Sequence, residues 1–322
     1  MSDPLRRFTA EHHAAVTDAL HRLLPRSNHP RAAKVNEAVS HAVFPGGRRF
    51  RPTLTLLAAR VVGGQATDAL LAACAMEFLH CSSLVFDDLP AMDDANERRG
   101  RPSLHASFGE GVSVLAGLAL LNGAYELLSR CSSTPIHCVR VMREAADCIG
   151  MNGMIGGQAI DLAPRTHDGG FDVDLSNRNL KTTALVRLTM VSGAIACGAS
   201  ESDLAALRRC GDAIGTAYQI VDDLLDDDDS DAFGTGKPAG QDLRHGRPTA
   251  LARMCRADAG HAAARSIDES RAAIIDRFGR GAETMMLCDA VTSIVDGRII
   301  QRVSATDSKS EMGDGGQQAF LT

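Results

Sequence analysis

Residues 66–94 read ATDALLAACAMEFLHCSSLVFDDLPAMDD. Apolar side chains recur at helical spacing through most of this stretch, and its β-branched residues are few, so it predicts a helix over 66–88. The helix ends in a cluster of aspartates at 87–94. A second aspartate cluster, at 222–231, also follows an apolar helical segment. The two acidic segments therefore occupy equivalent positions, each at the end of a helix.

Helical spacing continues along nearly the whole chain, which predicts an all-α fold. The breaks fall at clusters of Gly, Pro and polar residues, such as Pro45 to Gly47 and Gly234 to Gly240. Helices are predicted at about 5–24, 31–44, 51–63, 66–88, 111–130, 135–162, 176–198, 201–228, 247–277 and 281–303. No linker stands out, so residues 1–303 are expected to form one domain. The polar, Gly/Gln/Ser-rich residues 304–322 are expected to be a disordered tail.

The composition excludes several classes of partner. The chain has 322 residues, 44% of them hydrophobic, which suits a large buried core. A net charge of -6, two Tyr and no Trp disfavour nucleic-acid binding, which uses basic patches and aromatic stacking. Nine cysteines without a CxxC pair favour reduced thiols in a cytoplasmic protein. We expect no apolar run long enough to span a membrane.

The second acidic cluster, Gln219 to Asp226, reads QIVDDLLD. On a helix, Gln219, Asp222, Asp223 and Asp226 share one face. Three carboxylates on one face repel one another, and a hard divalent cation bound through oxygen would relieve that repulsion. A solvated acidic helix end is the alternative, but the interleaved Ile, Val and Leu favour a buried helix whose acidic face lines a cavity.

The first acidic cluster reads DDLPAMDD over 87–94 and is followed by Arg98, Arg99 and Gly100. Surface ion pairs are one explanation, but they contribute little free energy, and Pro90 disfavours a regular helix of paired charges. A polyanionic ligand explains the pattern better. Aspartates would hold magnesium, magnesium would hold a diphosphate, and the arginines would donate to further phosphate oxygens.

These segments resemble those of the trans-prenyl diphosphate synthases, also called polyprenyl synthetases. The resemblance runs from about Phe44 to Arg302. Its motifs, in chain order, are FPGGRRFRP at 44–52, DDxxxxD with RRG at 87–100, GQAIDL at 157–162, Lys181-Thr182, DDLLD at 222–226, and the Gly236-Lys237 and Gly240-Gln241-Asp242 pieces of the following loop. The resemblance implies a helical bundle of the isoprenoid-synthase type around a central cavity, and a homodimer.

The resemblance also implies a reaction, in which isopentenyl diphosphate is condensed with dimethylallyl, geranyl or farnesyl diphosphate. Asp87 and Asp93 would bind two Mg²⁺ ions and Asp222 a third. Further support for the metals would come from Asp88, Asp223, Asp226 and Asp242. The allylic diphosphate would be held by Arg98, Lys181 and Lys237. Isopentenyl diphosphate would be held by Arg48, Arg51, His80 and Arg99. The cavity around the reacting carbons would be lined by Gln158, Asp161, Thr182 and Gln219.

The position five residues before the first motif implies the product length. In the family a large aromatic residue there stops growth at farnesyl diphosphate, and a small one leaves room for another isoprene unit. Ser82 is small, so geranylgeranyl diphosphate is the expected main product, with farnesyl or geranyl diphosphate as alternatives. Ser82 could instead pack against another helix, whose side chains would then set the length.

Two other functions share parts of this pattern. A terpene cyclase of related fold would also bind magnesium through an acidic motif, but it would lack the set of Arg48, Arg51 and Arg99. A non-catalytic regulatory subunit would be expected to lose carboxylates, and both clusters are intact. Leu118 stands where the family often has Asp, which keeps the regulatory reading open.

Overall fold

Helices dominate the computed structural model, which describes residues 1–162, 180–226 and 255–293. The helices, in chain order, are α1 (Asp3–Leu23), α2 (Ala33–Val43), α3 (Phe50–Val61), α4 (Leu70–Asp87), α5 (Leu104–Phe108), α6 (Glu110–Ser129), α7 (Pro135–Ile149), α8 (Met154–Leu162), α9 (Leu180–Ala196), α10 (Glu201–Asp226), α11 (Arg256–Phe278) and α12 (282–293). Short 3₁₀ turns occupy Pro30–Ala32 and Ala66–Ala69. The predicted all-α fold is confirmed. The predicted tail, 304–322, lies outside the described residues.

Two local features differ from the predicted helices. The single helix expected over 135–162 is two helices, because the chain turns between Gly150 and Gly153. A Cβ atom on Gly153 would lie 2.0 Å from the carbonyl oxygen of Cys148, so this turn needs glycine. The second feature is an unpredicted antiparallel hairpin of strands β1 (Glu97–Arg98) and β2 (Arg101–Pro102). Its strands are too short for an alternating pattern to reveal them.

Helices α4 and α9 form the centre of the bundle. Every residue of α9 from Ala184 to Ala196 is buried except Arg187. Helix α9 packs against α3, α4, α7, α8 and α10. Small residues allow the close approach: a Cβ on Gly193 would lie 2.1 Å from the carbonyl oxygen of Thr55 in α3. The first turn of α9 and the last turn of α4 are thereby fixed relative to each other.

In the part of the chain that the structure describes, two helical segments could cross a bilayer by length and composition alone. They are Ala66–Asp87, with a mean hydropathy of 1.7, and Glu110–Ser129, with 1.5. The expectation that no apolar run is long enough was therefore wrong. The first segment is 67% buried, and a helix surrounded by other helices is apolar on every side, as a membrane helix is. The second is 39% buried.

A buried ion pair joins α4 to the loop between α2 and α3. Arg49 Nη1 donates to Glu77 Oε1 at 2.5 Å, and Nη2 donates to the carbonyl oxygen of Val43 at 2.8 Å. The two side chains are 1% and 3% exposed. Arg49 has a left-handed backbone, with φ of 50°, and its guanidinium covers Gly46, where a Cβ would lie 2.2 Å from Cζ. The GGRR loop is therefore fixed from inside the protein.

Replacing Glu77 with Gln should destabilise the fold strongly. The Glu77→Gln variant leaves Arg49 charged and buried without its counter-ion, which should cost about 3 kcal/mol of unfolding free energy. Urea unfolding measures this directly. Glu126→Gln is the matched control, since Glu126 pairs with Arg130 on the surface and its loss should cost less than about 1 kcal/mol. Equal losses in the two variants would contradict the assigned role of the buried pair.

Candidate active site

The first acidic cluster forms a closed loop at the end of α4. The amide of Asp93 donates to the carbonyl oxygen of Asp87 at 2.9 Å, and the amide of Ala95 donates to that of Asp88 at 3.2 Å. These bonds turn the chain back after Pro90. As a result Asp87, Asp88 and Asp93 are all buried at one end of the helix, although carboxylates are usually exposed.

Basic side chains from two other elements meet these carboxylates. Lys181 Nζ, in the first turn of α9, lies 2.7 Å from Asp87 Oδ1. Arg98 Nε, on β1, lies 3.0 and 3.1 Å from the two carboxylate oxygens of Asp88. Burial, the largest single effect, lowers the pKa of Arg98, but the hydrogen bond to Asp88 and the charges of the nearby aspartates together raise it above its usual value. The guanidinium therefore stays charged. The sequence assigned Arg98 and Lys181 to an allylic diphosphate, and the structure places both beside the acidic cluster.

The second acidic cluster lies at the end of α10, and α9 connects it to the first. Thr182 Oγ1, next to Lys181, lies 3.5 Å from Gln219 Oε1. Gln219 is one helical turn before Asp222, which is exposed. Helix α9 thus contacts both acidic helices through adjacent residues. The side chains of Asp223 and Asp226, and the whole of Lys237 and Asp242, lie outside the described part of the chain.

Helix α8 supplies a further polar side chain to this region. Gln158 Nε2 lies 3.4 Å from Met92 Sδ in the loop of the first cluster. Gln158 Oε1 is buried and has no hydrogen-bond partner among the described residues. Asp161, three residues later, lies on the same helix and is half-buried. A buried amide oxygen without a donor suits a site that a ligand completes.

A second, cationic cluster lies on the other side of the hairpin. Arg99 is in the turn of the hairpin, and its Nη2 lies 3.2 Å from His80 Nε2. Burial, followed by the charges of Arg51 and Arg99, holds the pKa of His80 well below its usual value. The ring is therefore neutral, and because Nε2 accepts from Arg99, Nδ1 carries the proton. Arg51 has a buried Nε without a hydrogen-bond partner in the described residues.

Of the four residues assigned to isopentenyl diphosphate, three are thus close to one another: His80, Arg51 and Arg99. Arg48 is exposed in the loop before α3, three residues from Arg51 in the first turn of that helix. The concentration of guanidinium groups beside a neutral histidine suits an anion with several oxygens, such as a diphosphate. Ser82 is buried, and its Oγ donates to the carbonyl oxygen of Gly117 in α6 at 2.9 Å.

Carboxylate oxygens are the ligands that Mg²⁺ prefers, so the acidic cluster has a suitable set of donors. Within residues 1–162, 180–226 and 255–293, no group of three or more His, Cys, Asp or Glu side chains is arranged so that it could hold a metal ion. Instead the ammonium of Lys181 and the guanidinium of Arg98 neutralise Asp87 and Asp88. The resemblance assigns Asp87 and Asp93 to magnesium, and both are buried close to the positive charge of Arg98.

Some residues that shape this site had no role in the sequence interpretation. Arg49 and Glu77 fix the GGRR loop, and Arg101 anchors the hairpin. Arg49 lies within the GGRRFRP segment, so the motif marked it without revealing its partner. Glu77 had a weak signal of its own, since it is a single acid within a long apolar helix.

Comparison with protein-family models identifies the relatives of this fold. The polyprenyl synthetase model matches residues 32–276. The chain belongs to the polyprenyl synthetase family. The match includes the two acidic motifs, the RRG hairpin and the Lys181-Thr182 pair. The resemblance seen in the sequence is therefore confirmed.

Curated members of the polyprenyl synthetase family include two similar proteins from Arabidopsis thaliana. Heterodimeric geranylgeranyl pyrophosphate synthase large subunit 1 is 41% identical over 218 residues, which are 65% of this chain and 58% of that protein. Geranylgeranyl pyrophosphate synthase 11 is 41% identical over 222 residues, 67% of this chain and 62% of that protein. The chain thus spans about three-fifths of the length of these relatives.

Among solved structures of polyprenyl synthetases, a farnesyl/geranylfarnesyl diphosphate (FPP/GFPP) synthase from Zymomonas mobilis superposes with a TM-score of 0.79. It is 29% identical, and the alignment covers 92% of this chain and all of that one. A geranyltransferase from Legionella pneumophila gives a TM-score of 0.78 at 25% identity, with 92% and 98% of the two chains covered.

Proposed function

We propose that this polyprenyl synthetase condenses isopentenyl diphosphate with an allylic diphosphate, and that it needs magnesium. The observation that carries the proposal is the arrangement around the RRG hairpin. Arg98 faces the acidic cluster, and the adjacent Arg99 faces the cationic cluster at His80. Two sites of opposite character, one for metal-bound diphosphate and one for free diphosphate, are what this condensation requires.

Asp87, Asp93 and Asp222 would hold magnesium, with three ions expected from the family and support from Asp88, Asp223, Asp226 and Asp242. When bound, magnesium would neutralise the diphosphate that leaves the allylic carbon. Lys181 forms an ion pair with Asp87, and the Lys181 side chain is 23% exposed. An ion at Asp87 would release the ammonium, which could then donate to a phosphate oxygen, as Arg98 and Lys237 would.

The isopentenyl diphosphate site would use Arg48, Arg51, Arg99 and His80. Charge-assisted hydrogen bonds from the guanidinium groups would orient the substrate so that its double bond faces the allylic carbon. The allylic cation must be kept from water, which the apolar residues of α4 and α9 favour. The proton lost at the end would go to the departing diphosphate, since no side chain in the described site is placed as a stronger base.

Asp87→Asn should lower turnover of isopentenyl diphosphate with geranyl or farnesyl diphosphate by about 100-fold or more, because it removes a carboxylate that would hold the magnesium that neutralises the leaving diphosphate. Asp222→Ala should have a similar effect. Asp94→Asn is the matched control, because Asp94 is exposed and its left-handed backbone, with φ of 47°, accepts Asn.

The same assay tests the metal requirement. A chelator should abolish turnover, and added magnesium should restore it. The helical circular dichroism of each variant shows whether the fold is intact. Near-normal turnover by a folded Asp87→Asn variant, or full activity in the chelator, would disprove the proposal.

We also propose that geranylgeranyl diphosphate is the main product. The growing chain would run along α4 away from Asp87, and Ser82 lies about 7.5 Å upstream along the helix axis. Ser82 and Ser83 are both small, so neither would obstruct the chain at that depth. Geranylgeranyl synthases among the relatives support this length, although another curated relative is a geranylfarnesyl diphosphate synthase.

Ser82→Phe should therefore shift the products towards farnesyl diphosphate. The aromatic ring would have to occupy space between α4 and α6, where Ser82 now contacts Gly117. Ser82→Ala is the control, since it removes only the hydrogen bond and should keep the wild-type product. Chromatography of the dephosphorylated products measures chain length. An unchanged product from a folded Ser82→Phe enzyme would show that another residue limits growth.

The chain is also proposed to act as a homodimer. Large apolar side chains are exposed along α6 and α7; they are Val114, Leu115, Leu118, Ile136 and Val139. Because α6 carries three of them on one side, a second copy could cover them together. One relative is described as the large subunit of a heterodimeric synthase, so a different chain is the alternative partner to be considered.

Light scattering should give twice the mass of one chain for the wild type and one chain mass for Leu115→Glu, since a charge in an apolar interface is costly. Glu126→Gln, on the same helix at an exposed ion pair, should remain dimeric. A monomeric wild type would disprove the homodimer.

A further inference from the structure

The hairpin that carries the RRG segment is held at three points. Its turn consists of Arg99 and Gly100, with φ values of 56° and 70°. Two successive residues with positive φ form the tight turn that two-residue hairpins prefer. Arg98 and Arg101 are directly opposite each other across the two strands. The position of Arg99 at the tip therefore depends on how the two strands are anchored.

The first strand is anchored through Arg98, which pairs with Asp88 at the end of α4. The tip has a weaker contact, from Arg99 to His80. Arg99 is itself exposed. The second strand is joined to the first by the strand pairing and by the amide of Ser103, which donates to the carbonyl oxygen of Asn96 at 2.8 Å, and it also has an anchor of its own.

The second strand is anchored by Arg101. Arg101 Nη1 donates to the carbonyl oxygen of Phe44 at 2.9 Å, and Nη2 lies 3.0 Å from His41 Nδ1. His41 Nε2 lies 3.3 Å from the carbonyl oxygen of Pro102, the next residue of the same strand. His41 therefore accepts from Arg101 at one nitrogen and donates to the strand at the other. Its ring also contacts Phe108 edge-on at 5.4 Å.

These contacts join the hairpin to the GGRR loop. Phe44 directly precedes the loop that contains Gly46, Gly47 and Arg48. A cleft separates the two segments, with Phe44 and Gly46 on one wall and Arg99 and Arg101 on the other. The guanidinium of Arg99 lies 3.8 Å from the position of a Cβ atom on Gly47, so it is close to the loop without a hydrogen bond to it. The hydrogen bonds that cross the cleft from the hairpin are those of Arg101, and the spacing of the two segments follows from them.

We propose that Arg101, held by His41, is a positioning residue that sets the distance between Arg99 and the GGRR loop. The inference rests on the proposed function, in which Arg48, Arg51 and Arg99 together hold isopentenyl diphosphate. Both terminal nitrogens of Arg101 donate hydrogen bonds to protein acceptors, Phe44 and His41. We therefore expect Arg101 to act on the substrate through the position of Arg99. Arg98, on the first strand, keeps its own anchor at Asp88. Loss of Arg101 therefore affects one diphosphate site and leaves the other in place.

The test is steady-state kinetics of Arg101→Met, which keeps the aliphatic stem and loses both hydrogen bonds. The KM for isopentenyl diphosphate should rise about tenfold, the effect of losing about 1.4 kcal/mol of binding. kcat and the KM for the allylic diphosphate should stay within about twofold. Arg101→Lys, which can still reach one acceptor, should recover part of the loss. Arg130→Met is the control for an exposed arginine elsewhere, and its constants should match the wild type.

Three results would overturn the inference: an unchanged KM for isopentenyl diphosphate, equal increases of both KM values, or a fall in kcat alone. If Arg101→Met does not fold, His41→Phe replaces it. That variant keeps the ring beside Phe108 and loses both ring nitrogens, and it should raise the same KM about threefold, with the same results counting against the inference.

Failure of the proposed function has a different signature, because the wild type would then not consume isopentenyl diphosphate with any allylic partner. Calorimetry with inorganic diphosphate in a chelator, so that the metal-dependent site does not take the probe, then tests the positioning role without turnover. Arg101→Met should bind this probe several-fold more weakly than the wild type and Arg130→Met do. Equal affinities for the three proteins would refute the positioning role.

Discussion

Repulsion between the buried carboxylates at the end of α4 is the constraint on which this site depends. Asp87 and Asp222 both lie in the last turn of a helix, where the helix dipole is itself negative and disfavours an acidic side chain. Asp88 and Asp93 add to the charge near Asp87, and burial makes each carboxylate more costly. Local helix physics opposes this arrangement, so positive charge from elsewhere in the fold must stabilise it.

The fold supplies that charge from elements that are distant in sequence. Lys181 reaches Asp87 because α9 is packed tightly against α4, and Arg98 reaches Asp88 because a two-residue turn sends β1 back towards the helix end. The same turn directs Arg99 away from the carboxylates and towards His80. One short hairpin thus separates an acidic site from a cationic site. The acidic site keeps an excess of negative charge, and the cationic site keeps an excess of positive charge. This is the condition under which a metal and a diphosphate would bind together.

The sequence was sufficient for the helices and insufficient for the contacts between them. Apolar spacing and glycine breaks predicted most helices because both are local signals, and the clusters of aspartates marked the ends of α4 and α10. The partners of Asp87 and Glu77 depend on how helices cross, which one sequence does not reveal. The turn at Gly150 to Gly153 was missed since the apolar spacing continues on both sides of it. The hairpin was missed because a strand of two residues has no period.

Leu118 shows how structure can change the meaning of a departure from a family pattern. In the sequence it removed a polar group from the helix after the first motif, which kept the reading as a regulatory subunit open. In the structure Gly117 faces α4, where a Cβ would lie 2.8 Å from the ring of Phe86. The next residue is turned about 100° around the helix, and Leu118 is 48% exposed beside Leu115. It therefore extends the apolar face of α6 and leaves the contact of that helix with α4 unchanged. The substitution then bears on what covers α6, while Asp87 and Asp88 keep their basic partners, Lys181 and Arg98.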